Sequence, residues 1–431
     1  MGKMMMGGDW VLSVPAAVRW NLSWLFSDSL FASASENIII TYLSIYLLAL
    51  GATGAQIGAW ASLSGLASAV MLVLGAMLVE RIGRRKDIVV FAGGWMARIA
   101  VLVITLLPLL LKGEALILIM IALAVARDAF NQLGSPAWTS LVGDIVPIER
   151  RGIYFSSRSF IMGAAGIVTV LVVGEMITRI GQPQGYQASM GLAFVIGMVA
   201  TFSYGRIRDP HPLPLPKKEP AAAMGVPALV FVREMFHHPG FVAFSLTAVL
   251  WNFSLNVAGP FFNVFMVRVL NVTPTMIAVN SVAYAIASIA VQLLVRPWAD
   301  RIGARRLQLI SGLVIPILPF CWLIVHNGWE VIPINIASGA LWGIYNLAAF
   351  SLMFEVTPVA QRARYSAIYQ LVVMVALAVG AAVGGVMVTR WGYASVFISS
   401  GVGRFTAAVL FAWLVRTAAP QPAAEQTPER T

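Results

Sequence analysis

Apolar residues gather along this chain in runs of about 20 or more, each long enough to cross the roughly 30 Å hydrocarbon core of a bilayer as a helix. The runs predict spans at 22–50, 54–79, 87–111, 114–138, 153–178 and 187–206, then at 240–269, 274–297, 307–326, 330–354, 364–389 and 393–416. The polar stretches between them are short, with one exception. Residues 206–239 hold Pro210, Pro212, Pro214, Pro216 and Pro220 beside Lys217 and Lys218, and proline at alternate positions favours extended chain over helix. Within that linker, Pro227 to His238 mixes apolar and charged residues as an amphipathic helix on a membrane surface does. The pattern predicts an all-α membrane protein of twelve transmembrane helices in two six-helix bundles, 1–205 and 240–417. A polar tail, 418–431, is expected to be disordered.

The two bundles are related. Glu80-Arg81-Ile82-Gly83-Arg84-Arg85-Lys86 returns 220 residues later as Asp300-Arg301-Ile302-Gly303-Ala304-Arg305-Arg306, an acid, a base, a turn glycine and a basic cluster between two apolar runs. A second repeat follows: Asp144 with Pro147, Arg151 and Tyr154 matches Glu355 with Pro358, Arg362 and Tyr365, 211 residues on. Matched features in two halves of an apolar chain are a signature of transporter folds.

Composition strengthens the membrane assignment. Hydrophobic residues make up 59% of the chain and charged residues 11%, where a soluble domain carries about 25% charged residues. The net charge of +11 does not point to nucleic acid, because the bases alternate by loop. About 22 of the 29 Lys and Arg residues fall on the side of Glu80–Lys86 with both termini, and the opposite loops hold Lys112, Arg179, Arg268 and Arg390. That bias predicts a multi-pass protein of the cell inner or plasma membrane with both termini in the cytoplasm. Arg98, Arg127 and Arg404 lie inside spans. The N-terminus lacks the ordered regions of a signal peptide, and the lone Cys321 is expected as a core thiol.

The repeated hairpin resembles the Gly-x-x-x-Asp-Arg-x-Gly-Arg-Arg loop of the major facilitator superfamily, with Ala76 and Glu80 replacing the first glycine and the aspartate. The acid-x6-Arg pairs Asp144/Arg151 and Glu355/Arg362 resemble those of its sugar porters, whose signatures after spans six and twelve are absent. The resemblance covers about residues 20–417. It implies twelve spans in two pseudo-symmetric bundles, with spans one and four lining the central cavity and Arg127 near an arginine often found there.

Three sets of residues are candidates for chemistry. On the cytoplasmic side, Glu80, Arg81, Gly83, Arg84, Arg85, Asp144, Arg151, Asp300, Arg301, Gly303, Arg305, Arg306, Glu355 and Arg362 are expected to form a gate in which charge pairs latch the bundles; alternatively they only set topology. Inside the membrane, Asp28 and Glu36 on span one are eight residues apart, about 80° around one helix. With Arg127, Asp128 and Asn131 of span four they form the expected proton or substrate cavity, or a permanent structural ion pair. Arg98 and Glu175 are given no role. In the second half, Trp251, Asn252, Asn256, Trp342, Tyr345 and Asn346 offer stacking surfaces and amides to a ligand, or serve as helix glue. Glycines at 163 and 166, and at 380, 384 and 385, permit close helix approach.

No phosphate-binding loop and no cysteine–histidine cluster are present, so neither ATP-driven pumping nor metal chemistry is expected, and no cofactor is required. The reading is a secondary active transporter, not an enzyme, moving a small organic solute without strong net negative charge by alternating access. Protons are the expected coupling partner, the lipid bilayer its surroundings, and a monomer its working form. The alternatives are a drug or lipid exporter of the same fold working as a proton antiporter, and a transport-dead membrane receptor or scaffold.

Overall fold

The computed structural model describes residues 10–147, 150–209, 239–355 and 362–414. The prolines of the linker, the amphipathic stretch 227–238, His237, His238 and the tail 418–431 lie outside the described residues. A turn at Trp10–Ser13 precedes the first long helix. The first half then comprises α1 (Ala16–Ala49), α2 (Gly54–Ile82), α3 (Arg85–Leu110), α4 (Glu114–Ile145), α5 (Arg151–Ile180) and α6 (Gln184–Gly205). The second comprises α7 (Gly240–Arg268), α8 (Pro274–Ile302), α9, α10 (Gly328–Glu355), α11 (362–391) and α12 (393–414). α9 runs from Ala304–Val314 through a 3-10 turn, Ile315–Ile317, into Leu318–Cys321.

Among the described residues, nine helices are long and apolar enough to cross a membrane. One of these, Tyr369–Leu414, has 46 residues, about 69 Å of helix and so roughly twice the hydrocarbon thickness. It is two arms, because Gly392 at φ 75° and ψ 178° breaks the helical path and separates α11 from α12.

Local chemistry sets the ends. α2 opens with a capping box: the Thr53 hydroxyl accepts from the Gln56 amide, and the Gln56 side chain accepts from the Thr53 amide at 2.8 Å. It closes at Gly83, φ 67°, and the repeat partner Gly303 has φ 84°. Both hairpin glycines therefore occupy the left-handed region that L side chains avoid, which explains why the repeat keeps them. α7 is broken between Ala258 and Phe261 by Gly259-Pro260, where the sequence predicts one continuous span. α3 winds as a π-helix over Val90–Met96, a form common at functional sites.

Within the first half α1 packs on α6 and α5, and α2 packs on α4. Within the second, α7 packs on the α11–α12 run and α8 on α10. The halves meet where α2 lies against α11 and α5 against α8. A pseudo-twofold axis that exchanges the halves exchanges these two contacts, as two related six-helix bundles require. Gly58 sits against the Gly385 backbone, and Gly174 against the Pro274 carbonyl and Ala278. Hydrogen bonds join the halves at the same end: Arg268 donates to the Leu48 and Ala52 carbonyls at 3.2 and 3.3 Å, and Thr275 donates to Glu175 at 3.1 Å.

Candidate functional site

α1 brings Asp28 and Glu36 to one cavity of 380 Å³, together with Arg98 of α3, Asn131 and Gln132 of α4 and Arg158 of α5. The helical arithmetic that placed the two carboxyls on one face thus holds in the fold. Gly93 and Gly94, within the π-helical stretch, form part of the wall.

The charges in and beside this cavity are not equivalent. Arg127 is buried and donates from one terminal nitrogen to Glu36 and from the other to its neighbour Asp128, at 2.7 Å. Asp28 is buried and makes no salt bridge or hydrogen bond among the described residues, with Arg158 and Arg98 nearby. Arg158 spends its Nε on the Ser29 hydroxyl at 2.6 Å and lies 4.7 Å over the Trp138 ring. Arg98 donates to the Ser35 hydroxyl at 3.1 Å. Two carboxylates, Asp28 and Glu36, and two guanidiniums, Arg98 and Arg158, therefore line the cavity, while Arg127 and Asp128, expected within it, are outside its lining and reach it through Glu36; the geometry singles out Asp28. A buried carboxylate without a partner is costly while charged.

A larger cavity, 690 Å³, lies between the halves. The first half contributes Asn37 and Ile40 of α1, adjacent in the chain to Glu36. The second contributes Phe262 and Asn263 beside the break in α7, Asn280 of α8, Trp322 after α9, Asn335 and Trp342 of α10, and Arg404 of α12.

The amide and aromatic candidates of the second half divide. Trp342 lines the larger cavity. Trp251 stacks on Tyr345 with centroids 4.8 Å apart, and both touch Trp342, so this trio is packed largely upon itself. Asn252 donates back to the Ala248 carbonyl in its own helix, and Asn256 donates to the Leu377 carbonyl of α11 at 2.8 Å, which ties two helices. Asn346 is exposed.

At the hairpin end, Arg85 is buried and pairs with Asp144 at 2.6 Å and with Asp209 at 2.7 Å, joining the starts and ends of three helices of the first half. Ser140 takes a further bond from it at 3.0 Å. Arg84 pairs locally with Asp87, while Glu80 and Arg81 are exposed. Arg305 donates to the Ala412 carbonyl and Arg306 is exposed. The side chains of Arg151, Asp300, Arg301, Glu355 and Arg362 lie outside the described residues. Cys321, expected as a core thiol, is only half-buried.

Sequence reasoning missed Asp209, Arg158, Asn280, Asn335 and Trp322. Asp209 has no counterpart in the repeat, so nothing marked it. Arg158 stands two turns inside α5 and within the predicted span 153–178, and that position is the signal that finds it.

Comparison with known proteins agrees with this architecture. The sequence model of the Major Facilitator Superfamily matches residues 25–267 and 244–430. No curated protein sequence matches the chain. Among solved structures, the nucleoside transporter NupG is similar at a TM-score of 0.70 with 15% identity, over 91% of this chain and 99% of that one. The xylose transporter XylE from E. coli, in an inward open conformation, gives 0.67 with 16% identity over 93% and 97%. A bacterial homologue of the human lysosomal transporter Spinster, inward-facing and unoccupied, gives 0.66 with 14% identity over 93% and 96%.

Proposed function

The chain belongs to the major facilitator superfamily, and from that premise we propose that it is a proton-coupled secondary transporter moving a small organic solute by alternating access. The observation that carries the coupling is the division of labour on α1: Glu36 is held by Arg127, whereas Asp28 is buried, faces the same cavity and has no ion-pair partner among the described residues. Asp28 is the residue that takes up and releases the proton. Glu36, Arg127 and Asp128 form a fixed charge group that orders water and α1 beside it.

The close packing of α2 on α11 and of α5 on α8 is the sealed side of the cycle. The bias of basic residues assigns that side to the cell exterior and the hairpins to the cytoplasm. The proposed working unit is a monomer. Solutes named for the similar structures, a nucleoside and xylose, are small organic molecules, in keeping with a 690 Å³ cavity. The test is uptake of a panel of radiolabelled small solutes into proteoliposomes with an imposed pH gradient. Gradient-driven accumulation in the wild type that disappears in Asp28→Asn supports the reading, and full accumulation in that variant sinks it.

A further inference from the structure

Arg404 lines a cavity whose described lining holds no carboxylate, whereas Arg98, buried and bonded among the described residues to Ser35 alone, shares its cavity with Asp28 and Glu36. Arg85 and Arg127 each hold carboxylates, but Arg404, only 2% exposed and lining the larger cavity, has no ion pair among the described residues. Among the described residues its one hydrogen bond is long, 3.4 Å from Nη2 to the Leu255 carbonyl, and its Nε has no partner. From residue 240 to 414 the sequence contains three carboxylates, Asp300, Glu330 and Glu355, all towards helix ends. Glu330 is engaged at the N-terminal turn of α10 by the His326 amide at 2.8 Å and the Asn327 side chain.

Helix packing does not require this guanidinium. Ser400, one turn earlier, already joins α12 to α7 by donating to the Ser254 carbonyl at 2.6 Å, and Gly403 lets Ser254 approach. A desolvated cation with one weak contact is a liability unless an anion arrives to share its field. The planar fork of an arginine matches the two oxygens of a carboxylate.

The rest of the cavity fits the remainder of such a molecule. Phe262, Trp322 and Trp342 offer apolar surface. Asn280 is preset: its amide donates to the Met276 and Gly328 carbonyls, and its carbonyl accepts from Asn335 at 2.9 Å. That leaves the Asn335 carbonyl and Asn263 for polar substituents. We propose that Arg404 is the carboxylate-binding residue of the larger cavity and that the transported solute is a small organic monocarboxylate. A single guanidinium against a neutral set of amides and rings matches one negative charge and disfavours a polyanion. The inference rests on the transporter reading only in taking this cavity as the solute site.

The test is thermal unfolding of the purified full chain in detergent with matched pairs of probes: phenylacetate and phenylacetamide, hexanoate and hexanamide, indole-3-acetate and indole-3-acetamide. At least one carboxylate is expected to raise the wild-type Tm while its amide does not. Arg404→Gln is expected to weaken that carboxylate by roughly tenfold or more, and Arg404→Lys, which keeps the charge but loses the fork, by less. Should Arg404→Gln fail to fold, Asn335→Asp places a negative charge in the same cavity and is expected to weaken the carboxylate alone. No shift with any carboxylate, equal shifts with the amides, or an unchanged preference in the variant that folds overturns the proposal. Carboxylate preference that persists while proton-driven uptake fails counts against coupling and leaves this site standing; proton-driven uptake of uncharged solutes alone does the reverse.

Discussion

Arg127 of α4 donates to the Glu36 carboxylate of α1 across 91 residues of chain, and its other terminal nitrogen holds Asp128. A buried guanidinium between two carboxylates keeps both in place. On the proposed reading, that leaves Asp28, two turns away on the same helix, to carry the proton.

Two substitutions on α1 are therefore expected to behave differently in stability. Glu36→Gln weakens a charge-assisted bond to a buried arginine that keeps one other partner, a loss of about 1–3 kcal/mol. Asp28→Asn removes a charge that no described residue pairs, and is expected to be neutral or stabilising. Thermal unfolding of the two purified variants measures this. Equal destabilisation by both contradicts the difference in pairing.

In transport the order reverses. A gradient of one pH unit supplies about 1.4 kcal/mol per coupled proton, enough for about tenfold accumulation. Asp28→Asn is expected to bring accumulation to equilibrium while solute exchange across the proteoliposome membrane continues. Glu36→Gln is expected to keep gradient-driven accumulation at a reduced rate. Uptake under imposed gradients, with exchange measured in parallel, separates coupling from binding.

How much of this the sequence could say follows from what each contact depends on. Helix placement depends on the local apolar pattern, so the expected spans overlap the described helices, with ends that differ by up to seven residues, as where α4 runs to Ile145 rather than 138; the hairpin glycines at 83 and 303 announce their left-handed backbone by repetition. The shared face of Asp28 and Glu36 is likewise local, a matter of helical angle. Partner choice is not local. That Arg85 reaches Asp209 as well as Asp144 depends on how α3, α4 and the end of α6 converge, and that Trp251 and Tyr345 stack on each other depends on the α7–α10 contact. The break at Gly259-Pro260 was written in the residues themselves, but the apolar run around it concealed the interruption.

The sealed end offers a mechanical test. A Cβ on Gly58 would stand 2.7 Å from the Gly385 Cα and 2.8 Å from the Ala381 carbonyl, distances that no rotamer relieves because both atoms are backbone. Gly58→Leu is expected to hold α2 and α11 apart and to favour the state open at that end. Cysteines placed at Ile40 and Asn263, which line the larger cavity, then become more reactive to a membrane-impermeant thiol reagent applied from that side. Gly205→Ala, where an added Cβ meets nothing within 4 Å, is the control and is expected to change neither labelling nor stability.

Arg85 yields the last prediction. Its guanidinium is 1% exposed, while its partners are progressively wetter, Asp209 at 15% and Asp144 at 42%. Removing the buried member of such a cluster leaves carboxylates without their cation, and Arg85→Ala is expected to lose about 3–5 kcal/mol. Asp209→Asn keeps a hydrogen-bonding shape but drops the charge, for about 1–3 kcal/mol. Asp144→Asn, largely solvated, is expected to lose about 1 kcal/mol or less. The ranking Arg85 over Asp209 over Asp144 in thermal unfolding identifies a staple that holds the first half together. If Asp144 instead serves chiefly to latch one half to the other, Asp144→Asn leaves unfolding unchanged and alters cysteine labelling of the larger cavity from the hairpin side. The two measurements on that one variant therefore decide between a fixed brace and a moving gate.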